Sequence, residues 1–221
     1  MNWNTYFPNA LGKVSAGGVN AAMVRNLRVR DCTFMGCEGL KVGGIHVIES
    51  CPFGEAQCSN NLRHFSNLTL HDCHGDNSWS QRSGYAGGIA VTYGSTNGVL
   101  MNNTNIFENI SVSNSSGSRY GGGVAAAGGI VVRYSVTKGI IQANLNTFTN
   151  IKVAHCQGGV RTTYGGGAGG LTVSYYAGGA DGSYILHNKN LLSNVSVKSS
   201  FGGLYNQRGM ASLPLLPALL L

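Results

Sequence analysis

The sequence predicts an all-β fold of stacked parallel coils, on three grounds: a composition hostile to helices, a short apolar triplet recurring at a near-constant interval, and turn-forming residues between the recurrences. Charged residues make up only 10% of the 221-residue chain, which holds 34 glycines and 22 asparagines. Glycine costs about 1 kcal/mol per helical position relative to alanine, so a helical bundle or coiled coil is excluded. With 43% hydrophobic residues and a mean hydropathy of +0.01, the chain is far from the compositions that stay disordered. Four prolines and no glycine at every third position exclude collagen.

The triplet is Φ-x-Val, with Φ aliphatic. It starts at Leu27, Ile45, Leu68, Ile89, Ile110, Ile130, Ile151, Leu171 and Val195, at intervals of 18 to 24 residues. Period-2 spacing of branched apolar residues marks a short strand with one buried face. One strand every ~21 residues matches one coil of a solenoid, which buries its apolar face only by stacking on the next coil. The expectation is a single right-handed parallel β-helix of about nine rungs over residues 17–204. An irregular segment, 1–16, precedes it, and an apolar tail, 205–221, lies outside the fold.

A second regularity precedes each triplet. Asn26, Asn67, Asn109, Asn150 and Asn194 stand before the odd triplets, and Gly43-Gly44, Gly87-Gly88, Gly128-Gly129 and Gly169-Gly170 before the even ones. Phe65, Phe107 and Phe148 alternate with Ala86, Ala127 and Ala168 three residues upstream, so each ring is expected to lie over the space an alanine leaves.

The Gly-Gly-Ile copies (43–45, 87–89, 128–130) and the Phe-x-Asn copies (65–67, 107–109, 148–150) resemble the paired GGA(I/L/V) and FxxN tetrapeptides of chlamydial polymorphic outer-membrane protein repeats. Here the Phe-to-Asn spacing is one residue shorter. The resemblance covers roughly residues 17–204 and implies the right-handed β-helix shared with pectate-lyase-like proteins. It implies little about activity, because that scaffold serves adhesins, tailspikes, lyases and hydrolases.

Residues 1–18 lack the basic and apolar regions of a signal peptide, and the apolar tail is shorter than the ~20 residues that span a bilayer. The chain is expected to be a fragment of a longer extracellular or cell-surface product with no membrane span of its own. Its net charge of +7 comes from a scarcity of acids rather than from basic runs, so nucleic acid is not an expected partner. Surface glycans or host and cell-surface proteins are.

Cys32, Cys73 and Cys156 each fall five residues after a triplet start and are expected to share a column as free thiols. Cys51 and Cys58 bracket a short loop and are expected to form a disulfide, while Cys37 has no obvious partner. Without Cys-x-x-Cys, zinc is not expected. Of five Asn-x-Ser/Thr sequons, Asn67, Asn109 and Asn194 fall at the repeat position and suit a side-chain ladder. Asn102 and Asn114 are the expected glycan acceptors.

Outward strand positions near mid-rod carry no carboxylate, whereas glycoside hydrolysis needs a pair. Asp31, Glu49 and Asp72, each four residues after a triplet start, are the exception. They are expected to stack near His46 and His71, as an acid patch for catalysis or for calcium. The function expected is a structural or adhesin-like module that presents loops, binds glycans, needs no cofactor and catalyses nothing. The alternative is a pectate-lyase-like polysaccharide lyase or glycosidase that uses this patch.

Overall fold

The computed structural model describes residues 17–24, 26–39, 42–51, 58–75, 86–117, 128–158, 168–178 and 182–202. The segments expected at 1–16 and 205–221 lie outside these. Every regular element among the described residues is a strand. The first sheet runs β1 (Val19–Ala22), β4 (Ile45–Cys51), β7 (Ile89–Met101), β9 (Ile130–Gln142) and β11 (Leu171–Ala177), with β12 (Tyr184–Leu186) also on β9. The second contains β2 (Asn26–Met35), β5 (Leu62–His71), β8 (Thr104–Ser113), β10 (Leu145–Ala154) and β13 (Lys189–Lys198), stacked in chain order. A short pair, β3 (Glu38–Gly39) and β6 (His74–Gly75), extends one corner. All strand pairings are parallel. The chain is an all-β parallel β-helix.

The coil is twice the length expected. Consecutive triplets do not pair; the Gly-Gly strands stack on one another and the Phe-x-Asn strands on one another, so the nine triplets divide between two sheets. Equivalent residues recur after 41 to 44 positions, as the bonds from Asn150 to Asn109 and from Asn194 to Asn150 show. The second sheet has five strands, hence four intervals of ~4.8 Å and a stack roughly 19 Å high instead of the 40 Å that nine rungs would give.

Like therefore packs on like. Phe65, Phe107 and Phe148 stack with ring centroids 5.0 and 4.9 Å apart, and none of the three rings reaches solvent. The expected Phe-over-Ala packing does not occur: Ala86 bridges Val42 on the other side of the coil, and Ala127 lies outside the described residues. Two sheets facing each other bury Ile89, Val91, Ile130 and Val132 against Ile110, Val112, Ile151 and Val153 in one core. The Gly-Gly pairs make this closeness possible. A Cβ on Gly88 would sit 2.6 Å from the Gly129 carbonyl oxygen and 2.9 Å from Val112 Cγ1. Any side chain there would push the coils apart.

Corners turn through left-handed residues. Asn67, Asn109, Asn150 and Asn194 have φ of 53, 54, 56 and 52°, a conformation in which asparagine is favoured among non-glycine residues. Each donates from Nδ2 to the preceding residue of the column at 2.8 to 3.1 Å, forming an exposed asparagine ladder whose first acceptor is Asp31.

That contact also corrects the first coil. Cys32 pairs with Leu68 and Phe34 with Leu70, so the apolar triplet of β2 is Cys32-Thr33-Phe34, and Leu27 aligns with Arg63 instead. The cysteine column shifts with it. It holds Cys37, Cys73 and Cys156, while Cys32 occupies a leucine position in the core layer.

Candidate functional site

Two polar constellations stand out, one inside the coil and one on its surface. The inner one lies where the end of each Gly-Gly strand faces the start of the next Phe-x-Asn strand. Glu49, Tyr93, Tyr134 and Tyr175 form one register column, and Arg63, Asn105, Asn146 and Asn190 the facing one. Tyr93 OH donates to Asn105 Oδ1 at 2.7 Å and Tyr134 OH to Asn146 Oδ1 at 2.9 Å. Asn105 Nδ2 donates to Tyr134 OH at 2.9 Å and to Asn146 Oδ1 at 2.8 Å, linking one coil to the next. The tyrosine rings stack 4.6 and 5.1 Å apart.

One coil earlier, the Tyr and Asn positions hold Glu49 and Arg63. Arg63 Nη2 lies 2.7 Å from Glu49 Oε2, the guanidinium covers the Tyr93 ring at 4.5 Å from its centroid, and Nη1 donates to Tyr93 OH. Burial pushes the Tyr93 hydroxyl up to about 12, although the Arg63 charge opposes the shift. Burial also raises Tyr134 well above its ordinary value. Both remain protonated donors at neutral pH; Arg63 is fully enclosed, whereas in the last coil Tyr175 is half-buried and Asn190 exposed.

A second buried ladder runs beside this spine. The Asn103 side chain accepts from Asn61 Nδ2 at 2.8 Å and donates to Asn144 Oδ1 at 2.9 Å, and Asn144 donates to Asn188 Oδ1 at 2.8 Å. The backbone N–H groups of Asn61, Asn103 and Asn144 share the same acceptors.

The surface constellation centres on His74. Its Nε2 is 2.9 Å from Asp72 Oδ1 and its Nδ1 2.9 Å from Ser116 Oγ, while His71 Nδ1 is 2.9 Å from Ser113 Oγ on the neighbouring strand. Acid, imidazole and hydroxyl in that order are the parts of an activated nucleophile. Among the described residues, the nearest backbone N–H groups are already engaged. The N–H of Ser116 donates to the Cys73 carbonyl and that of Gly117 to the Gln157 carbonyl, so neither is available as an oxyanion donor. The row is a hydrogen-bonded turn column, with Asp72 and His74 partly open to water.

The sequence-predicted residues land in different places. Asp31 caps the exposed asparagine ladder, Glu49 is buried against Arg63, and Asp72 belongs to the His74 column. His46 is buried in the first sheet, in register with Ala90, and His71 bonds Ser113. The expected stack of acids does not form. Its positions came from merging the Glu49–Tyr93–Tyr134–Tyr175 column with the Asp72–Asn114–His155–Ser199 column, and from placing Asp31 five residues out of register. Among the described residues, no group of three His, Cys, Asp or Glu side chains is arranged to hold a metal ion.

Asn67, Asn109 and Asn194 occupy the exposed ladder through their Nδ2 atoms, whereas Asn102 and Asn114 are exposed at left-handed corners. Cys58 is buried and disulfide-bonded. The side chain of Cys51, its expected partner, lies outside the described residues.

Sequence reasoning missed the Arg63–Glu49 pair and the spine. A signal was present two residues before each phenylalanine, where Asn105 and Asn146 repeat and Arg63 replaces them. No protein-family model matches the sequence, and no curated protein or solved structure matches it either. The geometry therefore carries the functional reading. No helix among the described residues is long and apolar enough to cross a membrane.

Proposed function

We propose that this chain is a structural, adhesin-like β-helix module of an extracellular or cell-surface protein, which presents loops to surface glycans or cell-surface proteins and does no catalysis. The observation that carries this reading is the common departure point of its long connections. The backbone N–H of Gly75 donates to the Ser116 carbonyl, that of Gly117 to Gln157 and that of Gly158 to Phe201, so these residues stack at one corner. Segments 76–85, 118–127 and 159–167 follow them in the chain, and their placement lies outside the described residues.

Each of these segments carries arginine and tyrosine: Arg82 and Tyr85, Arg119 and Tyr120, Arg161 and Tyr164. Those residue types are enriched where proteins meet partners, and they suit acidic sugars through charge and ring stacking. The likeness of the paired repeats to those of chlamydial polymorphic outer-membrane proteins supports a surface location. A place in the pectate-lyase-like superfamily belongs to the same proposal. The alternative reading, a lyase or glycosidase, has lost its acid patch and keeps only the Asp72–His74–Ser116 row in its favour.

Incubation with polygalacturonate, alginate and neutral glucans, with and without Ca²⁺, tests the proposal when both retention and product release are measured. Retention of the acidic polymers without product, weakened by salt, is the expected result. Product release by the parent and none by a Ser116→Ala variant would establish the alternative instead.

A further inference from the structure

Cys37 and Cys73 occupy adjacent coils of one column. The His74 N–H donates to the Cys37 carbonyl at 2.7 Å, the Ser116 N–H to the Cys73 carbonyl at 3.0 Å and the Phe201 N–H to the Cys156 carbonyl at 2.9 Å. The same backbone contact thus repeats coil by coil. Immediately after it, Glu38 pairs with His74 in register. Neighbouring parallel strands hold equivalent Cα atoms ~4.8 Å apart, inside the 4.4 to 6.8 Å range of disulfides. Ser115 separates Cys73 from Cys156, which puts those two roughly 10 Å apart and out of reach.

We propose that Cys37 and Cys73 are a redox-active dithiol that closes to a disulfide between the first two coils when a low-molecular-weight disulfide is the oxidant. The thiolate of Cys37 attacks one sulfur of oxidised glutathione, forming a mixed disulfide and releasing one glutathione thiolate. Cys73, after losing its proton to solvent, attacks Cys37 Sγ and expels the second glutathione. Two protein thiols are oxidised and one glutathione disulfide is reduced to two thiols.

Three observations support this order of events. Both cysteines are free thiols, and each Sγ donates only to a backbone carbonyl, Cys37 to Met35 and Cys73 to Phe34 and His71. Cys37 is partly exposed while Cys73 is buried, so a soluble oxidant meets Cys37 first. Burial raises the Cys73 thiol to about 12, which slows closure but also makes Cys73 a poor leaving group, so the closed bond resists reduction.

The test treats the full chain with oxidised glutathione, alkylates the remaining thiols in denaturant, and maps the peptides by mass spectrometry. One cross-linked peptide containing Cys37 and Cys73 is expected, with Cys156 still alkylated. Recovery of Cys37 and Cys73 as separate alkylated or singly glutathionylated peptides at the end of the oxidation would overturn the proposal. In a Cys37→Ser variant Cys73 should stay alkylatable; its loss into a bond with another cysteine would also overturn it. The measurement on the unaltered chain stands even if that variant fails to fold, and it is independent of whether the chain binds glycans.

Discussion

The guanidinium of Arg63 lies 2.7 Å from the carboxylate of Glu49, and the two side chains are 0% and 6% exposed. The pair occupies the two columns that hold tyrosine and asparagine in the following coils. Removing one partner leaves a buried charge unpaired, so Glu49→Gln should cost about 3 to 5 kcal/mol. The double change Glu49→Tyr with Arg63→Asn copies the next coil and should recover most of that loss. Urea unfolding of Glu49→Tyr, Arg63→Asn and the double variant, read as a cycle, checks the coupling.

Phe107 lies between Phe65 and Phe148, with ring centroids 5.0 and 4.9 Å away. Phe107→Ala should cost ~3 to 5 kcal/mol through the cavity it leaves between two rings. Phe107→Leu, which copies Leu192 at the end of the same column, should cost clearly less. A thermal melt of either variant that matches the parent would contradict the ring stack.

Alkaline pH should unfold the chain before it damages it chemically. Burial raises the folded Tyr93 hydroxyl from 10.0 to about 12, so the unfolded chain loses its proton first as pH rises. The stability linked to this group is fully present below pH 10 and is lost as pH rises towards 12, by roughly 2 to 3 kcal/mol. Tyr134 adds loss of the same sign. The buried thiols of Cys73 and Cys156, raised from 9.0, begin the loss earlier, so denaturant midpoints should fall from about pH 9 and more steeply above pH 10, less so in a Tyr134→Phe variant.

Asn109 combines a left-handed backbone, φ 54°, with ladder bonds of 3.1 Å to Asn67 and 2.9 Å from Asn150. Asn109→Ala loses both bonds and strains the corner, at a cost of roughly 1 to 3 kcal/mol. Asn109→Gly loses the same bonds without strain and should be about 1 kcal/mol more stable than the alanine variant. Equal melting of the two variants would mean that backbone conformation does not matter there.

Expression through a eukaryotic secretory pathway should place glycans on Asn102 and Asn114 and leave Asn67, Asn109 and Asn194 bare, since the ladder occupies the Nδ2 atoms of the last three. Glycopeptide mapping decides this directly.

The strand positions and the parallel stacking were legible because Φ-x-Val recurs in both sheets, but that shared triplet also hid the coil length. Ile89 and Ile110 read as one series, although Ile89 stacks on Ile130 and Ile110 on Ile151. The residues that belong to one series alone, Phe107 on Phe148, Asn109 under Asn150 and Gly88 on Gly129, report the true period. Leu27 misled for a local reason: Leu27-Arg28-Val29 and Cys32-Thr33-Phe34 both alternate, and only Asp31 in the left-handed corner selects between them. The Arg63–Glu49 pair needs the two columns to face each other, a relation that a linear spacing does not contain.

The asparagine ladders also have a direction. In the exposed ladder every amide N–H points towards the first coil and stops on Asp31, whose carboxylate accepts but cannot donate. At the other end Asn194 donates inward to Asn150, leaving its Oδ1 as the outermost atom of the series. The buried ladder beside the spine runs the opposite way, Asn61 donating to Asn103, Asn103 to Asn144 and Asn144 to Asn188. Amide dipoles on the surface and in the interior therefore oppose one another along the stacking axis, and their fields partly cancel.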